Sequence, residues 1–323
     1  MSEYLAIESI SPALQRTARA FWPPNPGEWA RLLIISFFVG AWFTSPFPDL
    51  SYSDLPLITS LPYADVVVSQ AGLVTSVISA IFLLLLVYAL FSSVFQFIFV
   101  DYLSLKQQGL LASFTSRIGF GIRLFGFYLA TIVLMGLLAF VLILFLAVPA
   151  LAADPDNPTR FLSALVMTLV ALLILILPVW IVTLFTTDFV VPVMIVRNFG
   201  IMRGWRVIFQ EFSGKWDEAA VYLMVKIVIN LGTGVLLGLL MVLISGLFDL
   251  SSLILIPGLS DGMQVSPTEL IGPLLIIFMV TLFVMTPVVT FLRYYALIFL
   301  EKISTSYSLL PDVYLEHHPS QRE

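Results

Sequence analysis

Long, nearly uninterrupted runs of apolar residues dominate this sequence and limit what the chain can fold into. Hydrophobic residues make up 60% of its 323 residues, and charged residues only 11%. A soluble domain is about half apolar and roughly a quarter charged, so a soluble core cannot accommodate this excess. A helix of about 20 apolar residues crosses the hydrocarbon of a bilayer and satisfies its backbone hydrogen bonds internally. The runs therefore predict an all-α bundle of transmembrane helices.

Six segments reach this length, and shorter polar stretches separate them. They lie near 29–47, 73–100, 120–151, 161–195, 219–247 and 271–300. The runs are continuous, whereas the strands of a membrane β-barrel alternate polar and apolar residues. We therefore predict a single polytopic membrane domain at 1–303 with six spans, followed by a polar tail at 304–323.

The charges predict the orientation of these spans. The loops after the first, third and fifth spans hold eight acidic residues and one base, Arg160. The other side holds 14 of the 15 lysine and arginine residues. Basic loops stay in the cytoplasm, according to the positive-inside rule. We therefore predict a cell-membrane protein with both termini in the cytoplasm.

Short amphipathic segments precede the odd-numbered spans. The first has Ser11 as a helix N-cap and Pro12 as the first helical residue, and similar segments lie at 106–118 and 201–212. Each is predicted to lie along the cytoplasmic surface as an elbow helix that leads into a span. The chain would then be a threefold repeat of hairpins at 1–102, 103–195 and 196–303. Alternatively, any membrane protein built from helical hairpins shows such features, and the sequence leaves both interpretations open.

Two further segments carry a family resemblance. Residues 17–40 read T-A-R-A-F-W-P-P-N-P-G-E-W-A-R-L-L-I-I-S-F-F-V-G, and 186–225 begin T-T-D-F-V-V-P-V-M-I-V. With R-L-F-G-F at 123–127, they resemble an uncharacterised archaeal, haloarchaeal-like family of multi-pass membrane proteins. That family is similar in turn to the membrane domain of some glycerophosphodiester phosphodiesterases. The resemblance implies a membrane domain and brings no catalytic residues, since the soluble phosphodiesterase domain is not in this sequence.

Ionisable residues in or beside the spans are the candidate functional residues, because a charge in hydrocarbon costs about 2.5 to 3.5 kcal/mol. They are Asp101, Asp188 and Arg293 near the ends of the second, fourth and sixth spans, with Arg203 and Arg206 in the third elbow segment. One interpretation is that they anchor helix ends, where long side chains reach water and carboxylates pair with arginines. The other is a polar cluster at the inner mouth of a transport path. We favour anchoring.

Prolines and glycines mark two other features of the spans. Pro178 and Pro287 lie inside the fourth and sixth spans and predict kinks, although interrupted helices at corresponding places also occur at transporter sites. Gly234 and Gly238 form G-x-x-x-G, with Gly246 eight residues further on. Such small residues let helices approach closely. We predict packing within the bundle rather than dimerisation.

Residues that carry chemistry are scarce. The sequence has no cysteine, and its two histidines, His317 and His318, are neighbours in the tail. No phosphate-binding loop or zinc motif occurs, so we predict no catalytic residues, no metal, no cofactor and no nucleic-acid partner. The leading hypothesis is a non-enzymatic scaffold, assembly partner or lipid-handling subunit that contacts membrane lipids and a membrane protein or a second copy of itself. A transporter or channel with a polar site between the fourth and sixth spans is the second, and a membrane-embedded enzyme the third.

Overall fold

A computed structural model describes residues 4–40, 71–104, 109–153, 158–247, 267–307 and 309–310. These residues are almost entirely helical, and none of them belongs to a strand. The predicted all-α class is therefore confirmed. The adjacent histidines of the tail and most of the predicted outer loops lie outside the described residues.

Ten α-helices follow one another along the described parts of the chain. They are α1 Leu5–Glu8, α2 Ile10–Phe21, α3 Pro26–Val39, α4 Ala71–Leu103, α5 Leu110–Ala153, α6 Pro158–Phe185, α7 Val191–Arg197, α8 Ile201–Glu211, α9 Trp216–Leu247 and α10 Pro267–Ile303. A π-helical turn, Thr186–Val190, joins α6 to α7, and a 3-10 turn, Thr305–Tyr307, follows α10.

Five helical stretches of the described chain are long and apolar enough to cross a membrane. They are Thr75–Leu103, Leu110–Leu146, Leu165–Arg197, Trp216–Leu240 and Leu275–Ile303. These stretches coincide with the second to sixth predicted spans. Large apolar side chains such as Leu84, Ile132 and Leu239 are exposed along them. In a bilayer such side chains contact lipid tails, which are equally apolar, so their exposure carries no hydrophobic penalty.

The first predicted span has a different outcome. The side chain of Asn25 accepts a hydrogen bond from the Gly27 N–H at 3.1 Å at the start of α3. The helix ends at Val39 because Gly40 adopts a left-handed backbone conformation, with φ 83°. Its 14 residues extend about 21 Å, which is less than the ~30 Å of bilayer hydrocarbon. The remainder of the predicted span lies outside the described residues, and a sixth crossing stays a prediction.

The predicted start of the first elbow helix is wrong. Helix α2 begins at Ile10 rather than Pro12, and Ser9 rather than Ser11 precedes it. The short helix α1 comes immediately before, and the Ser9 hydroxyl donates to the Leu5 carbonyl at 2.7 Å. The chain is therefore already helical where the sequence suggested a start, and Ser9 bonds backwards instead of capping α2.

The second elbow helix is not a separate element, so this prediction is also wrong. Helix α5 continues without a break from Leu110 to Ala153. No proline lies between Leu110 and Phe120, and Gly119 stays helical, so nothing in this stretch ends the helix. The third elbow segment does form a separate helix, α8, because Asn198 adopts a left-handed conformation after α7, with φ 53°.

The contacts within the chain define two compact units. The first unit comprises 1–95 and 214–302, and the second comprises 96–213 and 303–323. In the first unit, Tyr222 of α9 is fully buried and stacks on Tyr295 and Phe299 of α10, with ring centroids 4.9 and 4.7 Å apart. In the second, Phe189 of the π-helical turn packs against Phe212, centroids 5.2 Å apart. The predicted threefold repeat of hairpins stays a prediction.

Candidate functional site

A largely buried ion pair joins the end of α4 to the beginning of α5 in the second unit. Arg117 donates through Nε to Oδ2 of Asp101 at 2.6 Å and through Nη2 to Oδ1 at 2.9 Å. The Asp101 side chain is 8% exposed and the Arg117 side chain 17%. A bidentate pair of this kind fixes the relative orientation of both groups. Asp101, a candidate from the sequence, thus holds two helix ends together across a short connection.

An aromatic ring, that of Phe120, lies beside this ion pair. The Cζ atoms of Arg117 and Arg123 lie 5.9 and 5.8 Å from the ring centroid of Phe120. Phe97 of α4 packs on the same ring, with centroids 5.7 Å apart. Cations at this distance from an aromatic ring are weakly attracted to it. Both guanidinium groups therefore lie beside the Phe120 ring.

Asp188 occupies the π-helical turn between α6 and α7, a feature that the sequence analysis missed. The Val191 N–H donates to the carbonyl of Thr186, five residues back, and Asp188 is 3% exposed. Pro192 has no N–H, so it cannot donate to the carbonyl of Asp188, four residues before it, and its ring needs space there. The wider turn provides that space. In the sequence, the proline four residues after the aspartate indicated that the Asp188 carbonyl lacks its usual helical donor.

Polar contacts connect this turn to its surroundings in the second unit. The Tyr128 hydroxyl of α5 and the Thr187 hydroxyl share a hydrogen bond of 2.8 Å. The Thr186 hydroxyl donates to the carbonyl of Val182 at 2.7 Å. Single-turn π segments inside helices are frequent at functional sites. The turn is therefore the most distinctive polar feature that we find among the described membrane-spanning segments.

Helix α8 crosses this turn at a glycine. A Cβ atom on Gly204 would lie 2.8 Å from Cγ1 of Val190 and 3.5 Å from Cγ of Met194. Both neighbours are fully buried. Because real Cβ contacts are longer than 3 Å, only glycine lets α8 lie this close. The two candidate arginines of α8, Arg203 and Arg206, are both exposed.

The segment after α10 is packed rather than solvated at its beginning. Tyr307 and Leu310 are buried, although the sequence predicted a polar tail there. The Arg197 Cζ atom lies 5.5 Å from the Tyr307 ring centroid. Burial raises the pKa of the Tyr307 phenol, and the negative charge of Glu211 raises it further, while Arg197 partly offsets both. The phenol therefore stays neutral under ordinary conditions.

The remaining polar candidates lie in the first unit, on α10. Arg293 is buried, but it belongs to a different unit from the two aspartates, and the predicted cluster of all three stays a prediction. The Thr286 and Thr290 hydroxyls donate to the carbonyls of Leu282 and Thr286 at 2.7 and 2.8 Å. Bonds from threonine to the carbonyl four residues earlier are common within helices. Pro178 and Pro287 both lie inside continuous helices.

The G-x-x-x-G of α9 has no packing partner in the part of the chain that the structure describes. A Cβ atom on Gly234 or Gly238 would meet no described atom within 4 Å, and both glycines are exposed. The surroundings of Gly246 lie outside the described side chains. The predicted role in helix packing stays a prediction.

An apolar groove runs between α3 and α10 in the first unit. Its volume is about 540 Å³, within the size range of small-molecule sites. Residues from both helices line it, including Leu33, Phe37, Phe278 and Met279. The Phe37 and Phe278 rings meet edge to face with centroids 5.9 Å apart. Its lining residues all have hydrocarbon, aromatic or thioether side chains.

Stacked rings mark one end of this groove. Trp29 of α3 stacks on Phe283 of α10, with centroids 4.7 Å apart and planes 14° from parallel. Trp29 also meets Phe21 of α2 edge to face at 4.6 Å. The groove therefore has aromatic walls and an aromatic end, which suit a chain of methylene groups and offer little to a polar solute.

Long apolar helices and short amphipathic helices define a multi-pass α-helical membrane protein. No group of three or more His, Asp or Glu that could hold a metal lies among the described residues. The chain belongs to DUF7544, a family of unknown function whose model matches residues 4–310. No curated protein and no solved structure matches the chain. The archaeal origin and the resemblance to the phosphodiesterase membrane domain stay predictions.

Proposed function

We propose that this chain is a non-enzymatic, lipid-handling subunit of the membrane and that its apolar groove between α3 and α10 holds a lipid acyl chain. The composition of the groove's lining carries this proposal. A polar solute entering the groove would lose its hydration without gaining hydrogen bonds, which costs roughly several kcal/mol. An acyl chain comes from an equally apolar surrounding, so van der Waals packing against the aromatic walls is what favours it.

The orientation in this proposal follows the charge pattern. The basic helix ends lie in the cytoplasm, together with both termini, after six crossings. Because the chain has no cysteine, single introduced cysteines report the side directly. An impermeant thiol reagent applied to intact cells should label Asp54→Cys and leave Gln210→Cys unlabelled until the cells are opened. Labelling of both from outside would contradict this topology.

A photoactivatable phospholipid tests the occupancy of the groove. The purified protein is reconstituted with a phosphatidylcholine that carries a diazirine in its acyl chain, and crosslinked peptides are identified by mass spectrometry. Crosslinks should concentrate on α3 and α10. Ala30→Phe places a ring in the groove and should reduce them severalfold. The matched control is Ala130→Phe on the exposed surface of α5, which should leave them unchanged. Crosslinks spread evenly over all exposed helices would refute the proposal.

A transporter is the second candidate, and the buried Asp188 in its π-helical turn is the observation that favours it. Ionisable groups inside membrane-spanning segments often mark ion or proton paths. Asp188→Asn would then abolish ion-coupled uptake by liposomes while the protein still folds. If the wild-type protein moves no solute in liposomes under any ion gradient, this candidate loses its support.

A further inference from the structure

The surface of α8 is divided into strips of different character. Ile201, Gly204 and Ile208 face the protein and are buried. Met202 and Phe209 lie next to them around the helix and are 69% and 54% exposed. Residues seven apart fall on the same face, so these two side chains form one exposed apolar strip.

A basic strip follows the apolar strip around the helix. Arg203, Arg206 and Gln210 are exposed there. No acidic residue occurs between Asp188 and Glu211 in the sequence. Glu211 is half-buried and interacts with Tyr307. The outward face of α8 therefore combines apolar side chains with two positive charges. The helix contains no carboxylate before Glu211, its last residue.

The contacts of Gly204 place α8 beside the end of a membrane-spanning stretch. Its neighbours Val190 and Met194 precede the last residue of that stretch, Arg197, by seven and three residues. At 1.5 Å per residue, the middle of α8 lies roughly 5 to 10 Å before that helix end. A position next to the end of a span is the one that an interfacial amphipathic helix occupies.

We propose that α8 is a binding surface for anionic phospholipids, with Met202 and Phe209 among the acyl chains and Arg203 and Arg206 on the headgroup phosphates. Guanidinium groups bind phosphate oxygens through two parallel hydrogen bonds. A basic residue close to an anionic membrane surface favours binding about fivefold. This proposal concerns the second unit and does not depend on the groove of the first.

Lipid retention by the full-length protein tests this inference. The protein is reconstituted in phosphatidylcholine containing a minority of phosphatidylglycerol and extracted into mild detergent. Native mass spectrometry then counts the two lipids that stay bound. Wild-type protein should retain phosphatidylglycerol above its share of the bilayer. Arg203→Ala/Arg206→Ala should lower this enrichment about 25-fold if the two contributions multiply, and Arg203→Lys/Arg206→Lys should keep most of it.

A second pair of arginines provides the matched control. Arg16→Ala/Arg31→Ala removes the same charge from α2 and α3 and should leave the enrichment unchanged. An equal loss in both double variants would mean that overall charge attracts the lipid, and this would overturn the proposal. Unchanged enrichment in Arg203→Ala/Arg206→Ala would overturn it as well. Should that variant unfold, the wild-type enrichment must still fall when salt is raised, and insensitivity to salt would refute the phosphate contacts.

Discussion

Replacing Gly204 with alanine tests whether α8 owes its position to its close contact with the π-helical turn. The added Cβ would lie 2.8 Å from Cγ1 of Val190. Val190 is fully buried and β-branched, so its side chain has few other rotamers. Overpacking of this kind costs about 1 to 3 kcal/mol, while alanine gains about 1 kcal/mol over glycine inside a helix. We expect a net loss of about 1 kcal/mol, with an upper bound near 2 kcal/mol.

The free energy of unfolding can be measured by titrating a denaturing detergent into mixed micelles and following tryptophan fluorescence. Gly126→Ala in α5 is the matched control, because a Cβ at Gly126 would meet no described atom within 4 Å. It should be neutral or slightly stabilising. Val190→Ala creates space for the new methyl group, so the double variant Val190→Ala/Gly204→Ala should show a favourable coupling of about 1 kcal/mol.

Two outcomes would refute this reasoning. If Gly204→Ala stabilises the protein as much as Gly126→Ala does, the close approach at Gly204 does not hold α8 in place. If Gly204→Ala destabilises it but Val190→Ala brings no favourable coupling, the loss comes from a contact other than the one with Val190.

Three further predictions concern the ion pairs and the buried phenol. Asp101→Asn should destabilise the protein by about 3 kcal/mol in the same titration, because it leaves the partly buried Arg117 without its carboxylate; a loss below about 1 kcal/mol would contradict this. Lys302→Ala removes an exposed pair with Glu8, 3.0 Å long, and should cost less than about 1 kcal/mol. The raised pKa of Tyr307 means that its contribution to stability is present below about pH 10 and is lost as the pH rises through its folded value. Melting temperatures of the wild type should fall there more steeply than those of Tyr307→Phe, and identical profiles would contradict the prediction.

The membrane character and the helical class of this protein could be derived from the sequence. Each span depends on a local run of apolar residues long enough to cross hydrocarbon, and such a run is visible without knowing what it touches. Five of the predicted spans accordingly coincide with helices of the structure. The candidate charges were also visible, because Asp101 and Asp188 interrupt or border these runs.

Helix starts, the π-helical turn and the groove were harder to predict from the sequence. The sequence suggested a cap at Ser11, but the helix begins at Ile10, directly after the short helix α1. Pro192, four residues after Asp188, indicated a missing backbone hydrogen bond at that carbonyl. It did not indicate a π-helical turn, because Pro178 and Pro287 lie inside continuous helices. The groove between α3 and α10 had no signal of its own, because its lining residues look like any other part of an apolar span.

The sequence by itself determined which segments can cross a membrane and where the charge lies along the chain, because hydropathy and charge are properties of consecutive residues. The tertiary structure alone decided that Arg117 pairs with Asp101 and that Gly204 lies against Val190. Each of these contacts joins two different helical elements, whose relative rotation and position apolar periodicity does not specify. In hydrocarbon, a helix can turn any apolar face to lipid at little cost, so only specific contacts of this kind fix its rotation and depth.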